Sequence, residues 1–289
     1  AAARECLRAA AEHPLEAIAV DGGAHCFAAL DAAGEPVAQA IHWSDLRDAS
    51  EVEELDAEHG RRIHALSLEP VNSASTIAQL AWLRRHAPAS WKRISRLLVV
   101  KDYVRFRLTG KAATDPYDAA GTQLFDVRAG GWSSELTAVA GVDPAWLPEL
   151  APAHALAGSL DGAAARDLRA ATGVPVVVGS GDSAVEAAGL GALSPGDCVL
   201  KLGSSANTET ILDAPVESKA ALVYPYLVDG CWIAITATSS GAAALRWFQE
   251  LVGAGGGPPA PRQRYDADLA GVADVPAGAD GLLFHPFLA

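Results

Sequence analysis

The sequence has no methionine among its 289 residues, not even at position 1, and it opens on Ala1-Ala2-Ala3. A chain of this length ordinarily contains several, so a segment of a longer product is expected. No apolar stretch approaches the roughly 20 residues that a membrane-spanning helix needs, so membrane insertion is not expected. Basic residues are in deficit: 22 Lys and Arg against 35 Asp and Glu leave a net charge of −13, the wrong sign for nucleic acid or an anionic lipid surface. Cys6, Cys26, Cys198 and Cys231 form no C-x-x-C pair, which excludes zinc-site spacing and argues against a disulfide framework. No basic-then-apolar signal segment is visible, so a reducing cytoplasm is the expected compartment. The G-x-x-x-x-G-K-[ST] loop is also absent, which removes the commonest nucleotide cradle.

What is present is globular composition, 50% apolar and 20% charged, in which strand-like runs alternate with helix-like segments. That alternation predicts an α/β fold. Ala17–Val20, leading into Asp21-Gly22-Gly23, and Cys26–Leu30 read as neighbouring strands. Ser50 and Glu53 make a capping-box pattern for a helix that Gly60 is placed to end. Ile77, Leu80 and Leu83 mark a second helix. Leu97–Val100 reads as a strand feeding a helix closed by Gly110, and Ser133 or Ser134 can cap a helix ending near Gly141. Val174–Val178 is an apolar strand leading through Gly179-Ser180-Gly181-Asp182-Ser183 into an Ala-rich helix. A domain boundary is placed there, giving 1–173 and 174–289. Cys198–Leu202 is a further strand. Tyr224–Val228, Asp229-Gly230 and Cys231–Thr238 predict a hairpin with a type I′ turn, and Ala242–Leu251 a helix. Gly253–Pro261 reads as a loop.

Asp182 stands beyond the carboxyl end of a buried strand, where open α/β sheets place ligands, and a carboxylate there can take a proton from an attacking hydroxyl. It is equally a favoured helix cap. Gly203, Ser204 and Ser205 follow a strand and offer hydroxyls and backbone N–H groups to a phosphate, although small polar turns are commonly structural. Trp43, Asp45 and Arg47 would share one face of an extended segment and suit a polyol, or form an exposed ion pair. His25 can hydrogen-bond a hydroxyl, with no spacing that makes it a metal ligand. Lys101-Asp102 and Thr114-Asp115-Pro116-Tyr117-Asp118 read as structural, with Asp115 a turn former and Asp118 an anchor for its loop.

In order along the chain, AHCFAALD, AIHWSDLRD, KDYVRFRLTG, ATDPYDAAGTQLFD, WLPEL, VPVVVGSGDSAVEAAGLGAL, LKLGSS and ALRWF resemble the FGGY carbohydrate kinases, most closely the xylulokinase-like branch. The resemblance implies an actin-like, ribonuclease-H-like pair of α/β domains, incomplete here at both termini, that close over ATP with Mg²⁺ and a sugar. It implies Asp182 as the general base that takes the proton of a terminal sugar hydroxyl as it attacks the γ-phosphate. His25, Trp43, Asp45 and Ser183 fall on the sugar side, and Gly203, Ser204, Ser205 and Gly241 on the nucleotide side; no residue is assigned to the metal. Residues 1–173 would then belong to the sugar-side domain and 174–289 to the start of the nucleotide-side domain.

Departures from the family pattern fall around the pocket: Ser183 stands for Asn or Gln, Ser204-Ser205-Ala206 for Thr-Ser-Gly, Ala78-Gln79 for Pro-Lys, and Gly23-Ala24 for Gln-Met. They predict a smaller pocket with fewer amides, which bears on the substrate more than on the reaction. The family's opening Gly-Ile-Asp-x-Gly-Thr hairpin has no counterpart before Ala17, and the segment ending at His285–Ala289 resembles the stretch just ahead of a Gly-Glu-Arg. The expected activity is ATP-dependent phosphorylation of a ketopentose, xylulose first. Alternatives are gluconate, glycerol, a deoxy-ketose, or a non-catalytic sugar-binding relative, and a homodimer is left open. The segment alone is expected to be inactive.

Overall fold

The computed structural model describes residues 15–238, 240–252 and 270–285. Cys6, the 253–261 loop and the segment from Pro286 onward lie outside them. By internal contacts the chain parts into two units, Ala1–Val199 with Glu209–Ile235, and Leu200–Thr208 with Thr236–Ala289. This division cuts through strands rather than falling at 173/174, which is retained as a proposal about the whole protein.

In the larger unit the fully apolar Phe27–Leu30 (β1) is buried along its length and pairs antiparallel with Arg96–Val99 (β2). Its expected neighbour, Ala17–Val20, lies elsewhere: Ile18 and Gly22 bridge in parallel to Val176 and Gly181. The backbone turns through a left-handed His25 (φ 64°) between the two runs.

Ala49–Ser67 (α1) begins after Asp48 and carries Leu55 and Ile63 on its buried face. Ser50 therefore sits inside the helix rather than capping it. Gly60 does not end the helix either; it is buried mid-helix, where an added Cβ would stand 2.3 Å from Asp56 Oδ1, and the helix stops at left-handed Leu68, just before Glu69-Pro70. Thr76–His86 (α2) buries Ile77, Leu80 and Leu83 as its periodicity predicts. These residues form one core with Phe27, Leu97 and Leu136. Val100–Thr109 (α3) ends at left-handed Gly110, and Ser133 caps the helix that ends at Gly141.

Pro116–Gly121 (α4) starts on Pro116, whose missing N–H is no loss in a first turn. Leu156–Ser159 (β3) pairs antiparallel with Pro175–Val177 (β4), and the chain then turns into Asp182–Gly189 (α5). Cys198–Leu202 (β5), Ala206–Leu212 (β6), Leu222–Pro225 (β7) and Trp232–Thr238 (β8) form a sheet in the order β7-β8-β6-β5. A second core joins Tyr117 and Ala120 of α4, Ala184 and Ala187 of α5, and Val223, Tyr224 and Ile233 of the β7–β8 hairpin.

That hairpin forms, but its turn is not type I′. The Cys231 N–H donates to Val228 O (3.0 Å), and only Gly230 has positive φ, whereas type I′ needs it at Asp229 as well. In the smaller unit Ala242–Val252 (α6) follows Gly241. Among the described residues no helix is long and apolar enough to cross a membrane.

Candidate active site

The turn from β4 to α5 is shaped by two glycines that nothing larger could replace. A Cβ on Gly179 (φ 77°) would lie 2.0 Å from Val20 O, and one on Gly181 would lie 2.3 Å from the Tyr117 ring. Without side chains these positions let the 18–22 segment run alongside, so the Asp182 N–H donates to Gly22 O (3.0 Å). Asp182 opens α5 as its first residue, and the helix has Gly181 as cap, so the capping role open to Asp182 in the sequence is not the one it takes. Its Oδ1 accepts from the Ser183 N–H (2.7 Å). Its Oδ2 stands above the bare backbone of Gly23, 3.8 Å from where a Cβ would be. The carboxylate is exposed, with small residues around one oxygen.

His25 lies next to this turn. Its Nδ1 is 3.0 Å from Gly121 O at the end of α4, and its Nε2 is 3.1 Å from the Tyr224 hydroxyl on β7. Burial lowers the imidazole's pKa, against the opposing effects of the Gly121 carbonyl and the Asp182 charge. The Gln79 amide donates to His25 O (3.3 Å), so the glutamine in the place of a family lysine serves the backbone here.

Beneath the turn is a cluster of charged side chains that sequence reasoning treated as structural. Lys101, Asp102, Arg105, Asp115 and Asp118 are each 2% exposed or less. Lys101 Nζ reaches Asp102 Oδ1 (2.6 Å), Asp118 Oδ2 (3.0 Å) and Asp115 Oδ1 (3.1 Å). Arg105 donates to Asp102 and to Val178 O (2.6 Å), and also contacts Ala113 O. The Ser180 hydroxyl donates to Asp115 Oδ2 (2.6 Å). The cluster thus grips residues 178 and 180, just before Asp182. Burial alone would lower the Lys101 ammonium's pKa, but Asp118, Asp115 and Asp102 raise it above its ordinary value. Burial holds the Asp118 carboxyl well above the usual carboxylate range, with Asp115 and Asp102 adding to it and Lys101 opposing. The missed signal was the crowding of Lys, Arg and three Asp into apolar surroundings.

Residues 42–47 do not form the extended face expected of Trp43, Asp45 and Arg47. The Asp45 N–H donates to His42 O (2.9 Å), making a turn, and the Asp45 carboxylate takes Arg47 Nη2 at 2.6 Å. Arg47 also lies over the Trp82 ring, 5.1 Å from its centroid. Trp43 is 51% exposed, and its backbone approaches the thiol of Cys26, whose pKa burial raises. The structure therefore gathers Asp182, Ser183 and His25 about Gly22-Gly23, places Trp43 at the edge through Cys26, and turns Asp45 onto Arg47.

In the smaller unit Gly203, Ser204, Ser205 and Gly241 come together. The Gly241 and Ala242 N–H groups donate to Ser204 O and Gly203 O, both at 2.7 Å, and the Ala243 N–H to Ser204 O at 3.2 Å. A Cβ on Gly241 would be 2.5 Å from Ser205 O. The N–H groups opening α6 are thus taken by the loop's own carbonyls, leaving the Ser204 and Ser205 hydroxyls as its polar offering to a phosphate. Among the described residues no group of three His, Cys, Asp or Glu side chains is arranged to hold a metal ion, and the three buried aspartates converge on Lys101 instead.

Residues 1–189 match the family model described as the FGGY family of carbohydrate kinases, N-terminal domain. The chain is 28% identical over 275 residues to the xylulose kinase of Lactococcus lactis subsp. lactis (strain IL1403), covering 95% of this chain and 54% of that protein. It is 30% identical over 280 residues to the xylulose kinase of Escherichia coli (strain K12), covering 95% and 55%. The solved xylulose kinase from Rhodospirillum rubrum superposes with a TM-score of 0.90 at 28% identity, over 98% of this chain and 58% of that one. A gluconate kinase from Lactobacillus acidophilus, at 23% identity and a TM-score of 0.85 over 95% and 55%, shares the fold. The chain spans little more than half the length of the curated relatives it matches. The shared architecture is the actin-like ATPase fold of sugar kinases, incomplete in this chain.

Proposed function

Because the chain belongs to the FGGY family of carbohydrate kinases, we propose that the protein containing it transfers the γ-phosphate of ATP to a terminal hydroxyl of a ketopentose, xylulose first. The observation that carries this reading is the Asp182 carboxylate at the mouth of the β4–α5 turn, with Oδ1 held by the Ser183 N–H and Oδ2 open above Gly23. In the proposed step Oδ2 accepts the hydroxyl proton as the sugar oxygen attacks phosphorus. A fixed carboxylate is suited to this, because phosphoryl transfer asks the protein chiefly for positioning and charge stabilisation. The names of the relatives, xylulose kinases, support the substrate class.

The bare Gly23 backbone and the short Ser183 side chain offer a sugar few donors, which bears on the choice of substrate more than on the reaction. ATP is the proposed phosphoryl donor, with the Ser204 and Ser205 hydroxyls and Gly203 and Gly241 at its phosphates. Mg²⁺ is the expected counter-ion of ATP; no residue of this chain is assigned to it, and no step.

The test uses the full-length protein with xylulose, ribulose, gluconate and glycerol, reading ADP release. Xylulose is expected to give the highest kcat/KM. Asp182→Asn is expected to lower kcat by roughly 10²–10⁴-fold, the usual worth of a general base, while leaving sugar binding nearly intact. Near-parental turnover by that variant would overturn the assignment of the base, and a preference for gluconate or glycerol would overturn that of the sugar.

A further inference from the structure

Asp115 occupies the position just before α4, where an aspartate ordinarily turns its carboxylate onto the free N–H groups of its own helix. Ser133 and Asp161, at the same position of their helices, do so. Asp115 makes no such bond. Its carboxylate is turned to a partner 65 positions away: Oδ2 accepts from the Ser180 hydroxyl (2.6 Å), while Oδ1 lies 3.1 Å from Lys101 Nζ. Asp115, Ser180 and Lys101 are at most 2% exposed. The local cap that is lost is worth about 1 kcal/mol, whereas a hydrogen bond to a carboxylate is roughly twice as strong as a neutral one.

The Ser180 bond falls in a turn that is restrained residue by residue. Val178 O accepts from Arg105 (2.6 Å), the Gly179 N–H donates to Ala153 O (2.8 Å), and the Asp182 N–H donates to Gly22 O (3.0 Å). Gly22 in turn rests on Lys101, where an added Cβ would stand 3.2 Å from the lysine Cβ. Lys101 therefore backs both sides of the turn, Asp115 by charge and Gly22 by contact. The Asp182 carboxylate depends on this support, because Oδ1 is held by the N–H of the very next residue, which moves with it. Its place is set by the backbone behind it.

We propose that Ser180 and Asp115 are positioning residues for Asp182: their hydrogen bond, backed by Lys101, fixes the 178–182 backbone and so the place of the carboxylate, in place of capping α4. This rests on the reading of Asp182 as the kinase base, but its first test needs no turnover.

That test is hydrogen exchange of peptides spanning 178–183 in the full-length protein and in Ser180→Ala, which removes one hydroxyl and leaves the ion pairs of Lys101 in place. Exchange there is expected to quicken about tenfold, as the loss of a hydrogen bond to a charged group implies. Unchanged exchange would overturn the proposal whether or not the protein proves to be a kinase. So would equal quickening in α2, which would report a general loss of stability.

Kinetics supply the second test. With the preferred sugar, Ser180→Ala is expected to lower kcat roughly 10- to 100-fold, as a displaced catalytic group does, and to leave KM within about twofold, because Ser180 has no exposed surface to offer a sugar. Asp115→Ala should match it, and in the double variant the two losses should not multiply. Asp115→Asn can donate its amide N–H to Ser180 Oγ while its oxygen faces Lys101, and is expected to recover most of the kcat that Asp115→Ala loses. Equal losses in Asp115→Asn and Asp115→Ala would assign the effect to the charge and overturn the role given to the bond. If Asp115→Ala does not fold, Ser180→Ala carries the test alone. Parental kcat in Ser180→Ala beside an inactive Asp182→Asn would overturn the proposal; parental kcat in both would instead remove Asp182 as the base and leave exchange to decide whether the bond fixes the turn.

Discussion

Two stretches of this chain carry much the same residue types and have opposite physics. Residues 43–47 join an aromatic ring to an Asp–Arg pair; residues 101–118 join a tyrosine to Lys, Arg and three Asp. The first lies in water: Asp45 and Arg47 are 29% and 44% exposed at their side chains and meet only because they are two residues apart. The second is closed off, its side chains at 0–1% exposure, and assembled from α3, the start of α4 and the backbone at Val178. The difference is one of solvent. An ion pair in water adds little, because each ion was already well solvated. A charge removed from water costs several kcal/mol unless every neighbour is placed to compensate it, so a buried cluster keeps its geometry once formed. Rigidity of that kind suits the role proposed for Asp182, since a catalytic group must be held to about half an ångström.

The sharpest way to break the comparison is to remove the central cation. Lys101→Met leaves Asp102, Asp115 and Asp118 buried opposite Arg105 alone, and a loss of roughly 3–5 kcal/mol is expected from urea unfolding of the full-length protein. A loss below about 1 kcal/mol would mean that water reaches the cluster and that the contrast with residues 43–47 is false.

Glu69 sharpens the comparison from another side, as a buried acid with no cation beside it. Its folded pKa of about 8 lies above the ordinary 4.5, so the folded state holds a proton that the unfolded chain has released between those values. Its contribution to stability is greatest below pH 4.5, declines as pH rises to about 8, and changes no further above that. Glu69→Gln escapes the decline. It is expected to match the parent in stability near pH 4.5 and to exceed it by roughly 3 kcal/mol near pH 7, read as a pH series of unfolding midpoints. A difference independent of pH would show that Glu69 is ionised in the folded protein.

The smallest effect is expected from Arg47→Ala. Breaking the Asp45–Arg47 pair should leave the unfolding midpoint within measurement error, and any measurable sugar effect should appear in KM rather than in kcat. A clear loss of stability would place residues 43–47 with the buried cluster after all.

Local order was readable in the residues themselves. The apolar spacing of Ile77, Leu80 and Leu83, the glycine stops at 110 and 141, and the strand, turn and helix through 174–189 all reflect neighbours a few positions apart. Where the reading failed, a distant partner had decided the matter. β1 pairs with a distant strand in preference to the nearby Ala17–Val20, as the register Phe27↔Val99 records. Gly60 was a plausible helix end, but the chain found enough buried contacts to carry the helix on to Ser67. Asp182 was singled out correctly as a residue at a strand-to-helix turn, while its choice between cap and free carboxylate depended on Gly181 and Gly22.

The sequence by itself determined the α/β class and the glycine-lined turn that presents Asp182, because these depend on periodicity, composition and adjacent residues, and its ordered motifs carried the resemblance to the family. Only the tertiary structure decided which charges would lose their water. Tyr224 stands 199 positions from His25, and nothing local in either residue predicts their hydrogen bond or the buried Glu69 beside it. Desolvation is a property of everything packed around a group, and for Lys101, Asp118 and Glu69 it existed only once the chain had closed over them.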